Sequence, residues 1–313
     1  MSEWVAVTGA TGFIGQAICR LLHATGWQVR ALVRSGARAH ALEGFIDERV
    51  TGDLDNREAL DRLCSNAVAV VHCAGVVRGV DARAFDHVNV DGVRNLVELM
   101  LSHTSPARLL CLSSLAAREP ALSFYAASKY AGEQVLEQQA AALNWIALRP
   151  PAVYGPGDRE MLPLFRLMAR GIAPVFGEKD ARFSMIHVED IARLVVRWLQ
   201  CEAVVNGVYS LHDGRQGGYN WEDVTAIVSG LCRRPVRAVS IPSFMLSVPA
   251  WANRWLARWL GYAPMLTPEK LRELRHPDWV CDNEAIQQVL DWQPGLQLAE
   301  GLQKTPGWCS SLD

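Results

Sequence analysis

Tyr125 and Lys129 stand four residues apart in Tyr125-Ala-Ala-Ser-Lys129. On a helix that spacing projects both side chains from one face. A free phenol titrates near ~10 and is a poor acid–base catalyst at neutral pH. A neighbouring ammonium favours the phenolate and brings proton transfer closer to the working range. Upstream, Ser113 and Ser114 directly follow the apolar run Arg108-Leu-Leu-Cys-Leu112. Hydroxyls at the end of a buried strand emerge at the carboxyl edge of a sheet, where open α/β folds bind ligands. A serine hydroxyl there would hold a carbonyl or hydroxyl oxygen together with Tyr125 and stabilise charge developing on it.

A bare Tyr-x-x-x-Lys arises often by chance, so its company matters. Gly9-Ala-Thr-Gly12-Phe-Ile-Gly15 lies between the apolar run Trp4–Thr8 and an amphipathic stretch, Ile14–Ala24. The early glycines permit a tight turn and close approach of a pyrophosphate. The last lets helix and strand pack closely, and the helix N-terminus offers N–H donors. Gly9, Thr11, Gly12, Phe13, Ile14 and Gly15 are therefore candidate dinucleotide contacts, and hydride transfer is the matching chemistry. The second strand, Gln28–Val33, ends at Arg34. An acid there would bind a ribose 2′-hydroxyl, whereas an arginine can pair with a 2′-phosphate. Arg34, helped by Arg38, favours NADP(H) and leaves NAD(H) open; a solvated surface arginine is the bland alternative.

These residues need elements to position them. Ala67–His72, Arg108–Leu112 and Trp145–Leu148 continue the alternation of short apolar runs with amphipathic stretches. Such alternation predicts an α/β fold: a Rossmann doubly wound parallel sheet covered on both faces, with a smaller mixed substrate-binding lobe. Residues 1–155, rejoined by about 185–213, would form the dinucleotide-binding domain. Residues 156–184 and 214–313 would form the lobe. With 313 residues and a net charge of −2, the chain can bury a large core and carries no broad field toward nucleic acid. Met1-Ser2-Glu3-Trp4 shows no signal-peptide pattern, and no apolar stretch approaches the roughly 18–20 residues that span a bilayer. Eight scattered cysteines without a CxxC pair read as reduced, buried thiols rather than disulfides or a metal site. The expectation is a cytoplasmic monomer or homodimer without nucleic-acid partners.

The glycine loop resembles that of the short-chain dehydrogenase/reductases, specifically their extended branch, the NAD-dependent epimerase/dehydratase superfamily. Gly52-Asp53-Leu54, His72-Cys73-Ala74-Gly75, Asn89-Val-Asp-Gly-Val-Arg-Asn95, Leu148–Gly157 and Ile186–Asp190 carry the resemblance along the chain. It implies that Asp53 and Leu54 contact the adenine, and that Cys73, Ala74, Gly75, Pro150 and Val153 line the cofactor. It implies further that Ser114, at the family's strand-end motif, is the catalytic serine, that Lys129 hydrogen-bonds the nicotinamide ribose and that Asn89 completes a proton relay through water.

Eleven positions separate Ser114 from Tyr125, where sugar-processing members usually insert a longer loop, and this leaves the serine the weakest assignment. Leu115-Ala116-Ala117 stands where dehydratases carry an Asp-Glu pair, and Pro150-Pro151-Ala152 where sugar-nucleotide enzymes carry an asparagine. The chain is more similar to the 3β-hydroxysteroid dehydrogenase-like group, and it resembles the complex I accessory subunit of the same fold. Met265–Asp282 resembles a stretch of bacterial reductases acting on 3-oxo-sphingolipids such as 3-oxo-dihydroceramide. Within it, His276 and Asp278 read as helix-end residues rather than pocket lining.

The resemblance implies an NAD(P)-dependent oxidoreductase acting on a hydrophobic ketone or the corresponding alcohol. The alternatives are a sugar-nucleotide epimerase or dehydratase, and a non-catalytic cofactor-holding protein, against which the intact Tyr-Lys pair counts. Trp251, Trp255 and Trp259 recur every four residues, with Arg254 and Arg258 nearby. Core packing is the favoured reading of this stripe; a lid for a lipid-like substrate, touching a membrane surface peripherally, is the sharper one.

Overall fold

The computed structural model describes residues 3–36, 39–260, 264 and 267–309. Six strands run β1 Trp4–Thr8, β2 Gln28–Val33, β3 Glu48–Thr51, β4 Ala67–His72, β5 Arg108–Leu112 and β6 Trp145–Arg149. A seventh, Gly207–Ser210, pairs with β6. All seven are parallel, in the order Gly207–Ser210, β6, β5, β4, β1, β2, β3. The order turns back at β1, which pairs with β2 on one side and β4 on the other. At such a switch point the loops leave in opposite directions and open a crevice beyond the carboxyl ends.

Both faces of the sheet are covered, as near-continuous apolar strands require. On one face α1, Phe13–Ala24, packs beside the helix Val188–Gln200, burying Ile18, Leu22, Ile191 and Trp198. On the other lie α2 Arg57–Cys64, α4 Gly92–Ser102 and α5 Phe124–Gln139, burying Leu60, Leu96, Met100 and Leu136. Between them α3, Ala82–Asp86, leads into one wide π-type turn, His87–Asp91, that feeds α4. A third cluster around Tyr154, Phe165, Tyr219 and Trp308 forms the core of the smaller part.

Two sequence expectations change. The tryptophan stripe lies on the helix Ser243–Leu260 and is not core: Trp251, Trp255 and Trp259 are 58%, 62% and 74% exposed. A four-residue period places the rings on one face, but what covers that face is decided by tertiary structure. Nor are all the thiols buried; Cys73, Cys201, Cys232 and Cys281 are half-buried, and among the described residues no cysteine forms a disulfide. No helix of the described residues is long and apolar enough to cross a membrane.

Candidate active site

The glycine loop is fixed by sterics. Gly9 has φ +67°, and a Cβ there would lie 2.5 Å from the Ala74 nitrogen and the Cys73 carbonyl carbon. A Cβ on Gly15 would lie 2.3 Å from the Gly9 oxygen. Only hydrogen fits at either position, so the loop sits directly against the end of β4 and the start of α1. The Thr8 hydroxyl ties the two strand ends, bonding His72 Nδ1 at 2.9 Å and accepting the Ala74 N–H at 3.3 Å. Burial holds the His72 pKa down at about 3, with the Lys129 charge adding to the effect, so the ring is neutral.

Gly12 precedes α1 without a capping side chain, and the first turn contains no acid among the described residues. The free N–H groups and positive dipole end fit a pyrophosphate. Arg34 is exposed at the end of β2, while Arg38 lies outside the described residues. The Asp53 carboxylate accepts the Asp55 and Asn56 N–H groups at 3.1 Å each, fixing the turn before α2. Leu54 packs on Gly92, the buried Pro150 accepts the Leu115 N–H at 2.9 Å, and Val153 is half-buried beside the core.

Across the crevice, α5 starts at Ser123, whose Oγ accepts the Ala126 N–H at 2.9 Å. Tyr125 and Lys129 follow one turn apart, on the side facing the end of β5. Ser114 lies close enough to the Tyr125 phenol to favour its ionised form, its Oγ accepts the Ala116 N–H at 3.2 Å, and Lys129 Nζ donates to the Leu112 carbonyl at 2.8 Å. Burial pushes the phenol up to about 12, opposed by the Ser114 hydroxyl and reinforced by the Glu273 charge. Burial pulls Lys129 down to about 8 against the pull of Cys111, Glu133 and Cys73. Gly75 leaves space here: a Cβ on it would lie 3.1 Å from Lys129 Nζ and 3.2 Å from Asn89 Oδ1.

The paired serines separate cleanly. The Ser113 hydroxyl donates to Glu133, a carboxylate 2% exposed that Arg149 grips at 2.9 and 2.5 Å. Ser113 is thereby committed to the interior and Ser114 is left beside Tyr125. Asn89 sits in the π-type turn, a backbone irregularity frequent at functional sites. Its carboxamide accepts the Val76 N–H at 2.9 Å and donates to the Val76 carbonyl and Ser128 Oγ at 3.1 and 2.9 Å. The side chain therefore acts as a clamp on the segment after β4.

A cleft opens beside Tyr125, with Val77, Phe85 and Phe124 on its apolar side and Ser123, Lys270 and Glu273 on its polar side. The Phe85 and Tyr125 rings lie 6.2 Å apart. Lys270 Nζ is 5.9 Å from the Tyr125 ring centre and 2.7 Å from the Glu273 carboxylate, which also accepts from Ser123 Oγ. Ser123, Lys270 and Glu273 are missed by sequence reasoning; the last two arrive from about 150 residues away, on the helix Pro268–Arg275. His276 caps that helix and Asp278 Oδ1 accepts the Val280 N–H at 2.9 Å; neither lines the cleft.

The model of the NAD dependent epimerase/dehydratase family matches residues 5–211. The ceramide reductase of Caulobacter vibrioides is 38% identical over 307 residues, covering 97% of this chain and 93% of that protein. The decarboxylating sterol-4-alpha-carboxylate 3-dehydrogenase of Schizosaccharomyces pombe is 25% identical, covering 97% and 96%. The Bacillus cereus UDP-glucuronic acid 4-epimerase, solved with UDP-glucuronic acid and NAD, superimposes with a TM-score of 0.72 at 17% identity. The superposition covers 96% of this chain and 97% of that one, a likeness of fold. A glycine cradle shaped for a dinucleotide and a family match across two-thirds of the chain agree: the protein belongs to the NAD-dependent epimerase/dehydratase family and is an NAD(P)-dependent oxidoreductase of the extended short-chain type.

Proposed function

We propose that the enzyme reduces a ketone on an amphiphilic, lipid-like substrate, with Tyr125 as the proton donor. The observation that carries this reading is Tyr125, lining a cleft with one apolar wall and one polar wall, with Ser114 near enough to favour its phenolate and Lys129 one helical turn away. The 38% identity to a ceramide reductase supports a 3-oxo-sphingolipid as the substrate class. When bound, a reduced nicotinamide supplies hydride to the carbonyl carbon.

Ser114 and Tyr125 hold the carbonyl oxygen, and Tyr125 delivers the proton that turns it into a hydroxyl. The resulting phenolate is stabilised by the Lys129 ammonium one helical turn away. Asn89 holds the segment after β4 in place beside Lys129. Arg34 favours NADP(H) through a 2′-phosphate contact. Residues 1–155 and 185–213 serve as the dinucleotide-binding domain, and 156–184 with 214–313 as the substrate lobe.

The test is NADPH consumption with 3-oxo-dihydroceramide by the wild type and Tyr125→Phe. Loss of a positioned proton donor lowers kcat by about 10²–10⁴-fold while NADPH affinity is kept. Unchanged turnover in Tyr125→Phe would refute the acid role, and turnover of a nucleotide sugar in place of the lipid would refute the substrate class.

A further inference from the structure

The helix Ser243–Leu260 exposes a continuous apolar face. At 100° per residue, Trp251, Trp255, Ala252, Trp259, Met245 and Leu256 fall within an arc of about 140°. All six are exposed, Met245 by 56% and Leu256 by 44%. Ala250, on the opposite side, is fully buried, so the helix is seated by its other face. The Trp255 and Trp259 rings lie 5.6 Å apart, forming one apolar ledge. A contiguous exposed patch of this kind marks a docking surface rather than an ordinary solvated face.

Charge identifies the occupant. From Val224 to Pro268 the chain carries five arginines, at 233, 234, 237, 254 and 258, and no acid. This 45-residue segment is thus +5 in a chain of net −2, leaving −7 on the remainder. Arg233, Arg234 and Arg237 are exposed on the segment that leads into the helix. Tryptophans with cationic neighbours suit the headgroup level of a bilayer, where the indole is part buried and part wet and arginine meets anionic phosphate. A second copy of this chain would present a segment of the same positive charge and gain nothing from it.

We propose that this face docks on the surface of an anionic bilayer, with the helix lying in the interface plane. The helix Pro268–Arg275 packs against it, and Thr267, Glu269, Lys270 and Glu273 line the cleft beside Tyr125. Docking therefore sets the helix that lines the cleft next to the one on the interface, where a lipid-like ketone resides. This consequence rests on the proposed substrate class; the docking itself does not.

The test is co-sedimentation of the full chain with phosphatidylcholine vesicles, with and without about one-third phosphatidylglycerol. The wild type is expected to partition at least about tenfold more strongly onto the anionic vesicles, with a blue shift of tryptophan emission. Trp251→Ser/Trp255→Ser/Trp259→Ser should lose that partition about tenfold or more while keeping turnover of a short-chain, water-soluble ketone. Trp259→Ser, at the most exposed position, gives the same direction if the triple variant does not fold. Equal binding to neutral and anionic vesicles, or none to either, overturns the proposal. So does a wild-type dimer that the triple variant dissolves without any vesicle binding. Vesicle binding without reduction of the lipid ketone would instead remove the substrate reading and leave the docking intact.

Discussion

Replacing Lys129 with Met should stabilise the protein and inactivate it. The reasoning starts from burial, which pulls this ammonium from its ordinary 10.5 to about 8. A tenfold change in proton affinity is about 1.4 kcal/mol, so the displacement sets a ceiling of about 3 kcal/mol on the cost of holding the charge in place at neutral pH. Methionine keeps the linear stem and removes the charge. It also removes the charge-assisted hydrogen bond from Nζ to the Leu112 carbonyl, worth about 1.5 kcal/mol. The net gain is at most about 1.5 kcal/mol. With an unfolding entropy of about 2.1 cal/mol/K per residue, that raises Tm by at most about 2 °C for a chain of this length.

The pH dependence has a definite sign. Between about pH 8 and 10.5 the unfolded chain binds this proton and the folded one does not, so wild-type stability rises with pH across that window. The variant lacks the group and does not share the rise. Its advantage is therefore full below about pH 8 and fades toward pH 10. Calorimetry without cofactor at about pH 7 and pH 9.5 measures both, and a turnover assay should show a loss of about a hundredfold or more. A lower Tm for Lys129→Met at pH 7, or an advantage undiminished at pH 9.5, would refute the reasoning.

Arg34→Ser should lower the ratio of kcat/KM for NADPH over NADH by about ten- to a hundredfold, the worth of charge-assisted hydrogen bonds to a phosphate; an unchanged ratio would mean that Arg34 is only a solvated surface residue. Glu133→Gln leaves the Arg149 guanidinium without its carboxylate and should cost about 3–5 kcal/mol, or about 5–8 °C in Tm. A drop of less than about 1 °C would show that the introduced carboxamide and Ser113 restore the network.

The central strands and the glycine loop are legible in the sequence because their determinants are local. Trp4–Thr8 and Ala67–His72 are apolar enough for a strand buried on both faces, and only glycine fits at 9 and 15. The edge strands are not legible. Glu48-Arg49-Val50-Thr51 has one neighbour and only Val50 buried, so its composition reads as a loop. Gly207–Ser210 begins at a glycine with φ +140° and gains strand geometry from β6. Tyr125 and Lys129 are paired by helical spacing alone. Ser113 and Ser114 are distinguished only by Glu133 and Arg149, a contact that adjacent letters do not encode. Lys270 and Glu273 reach the cleft through tertiary folding, so an i,i+3 pair that looks like surface decoration in the sequence turns out to face Tyr125.

That tertiary contact also explains how α5 holds its rotation without a strongly apolar face. Its buried positions include Ala126, Ser128, Gly132 and Glu133, which are small or polar and contribute little through apolar packing. Three polar anchors at five-residue steps replace it: Ser123 to Glu273, Ser128 to Asn89, and Glu133 to Arg149. Each reaches a different element, namely the helix Pro268–Arg275, the π-type turn and β6. Together they fix the direction in which Tyr125 and Lys129 point, and positioning errors of about 1 Å are enough to cost about a hundredfold in rate. The first anchor carries chemistry as well. Burial does most to raise the Tyr125 pKa and the Glu273 charge adds to it, while Ser114 favours the phenolate that forms once the proton has left. A Tyr-x-x-x-Lys helix folded without the helix Pro268–Arg275 would keep its spacing and lose both its N-terminal anchor and the polar wall of the cleft beside Tyr125.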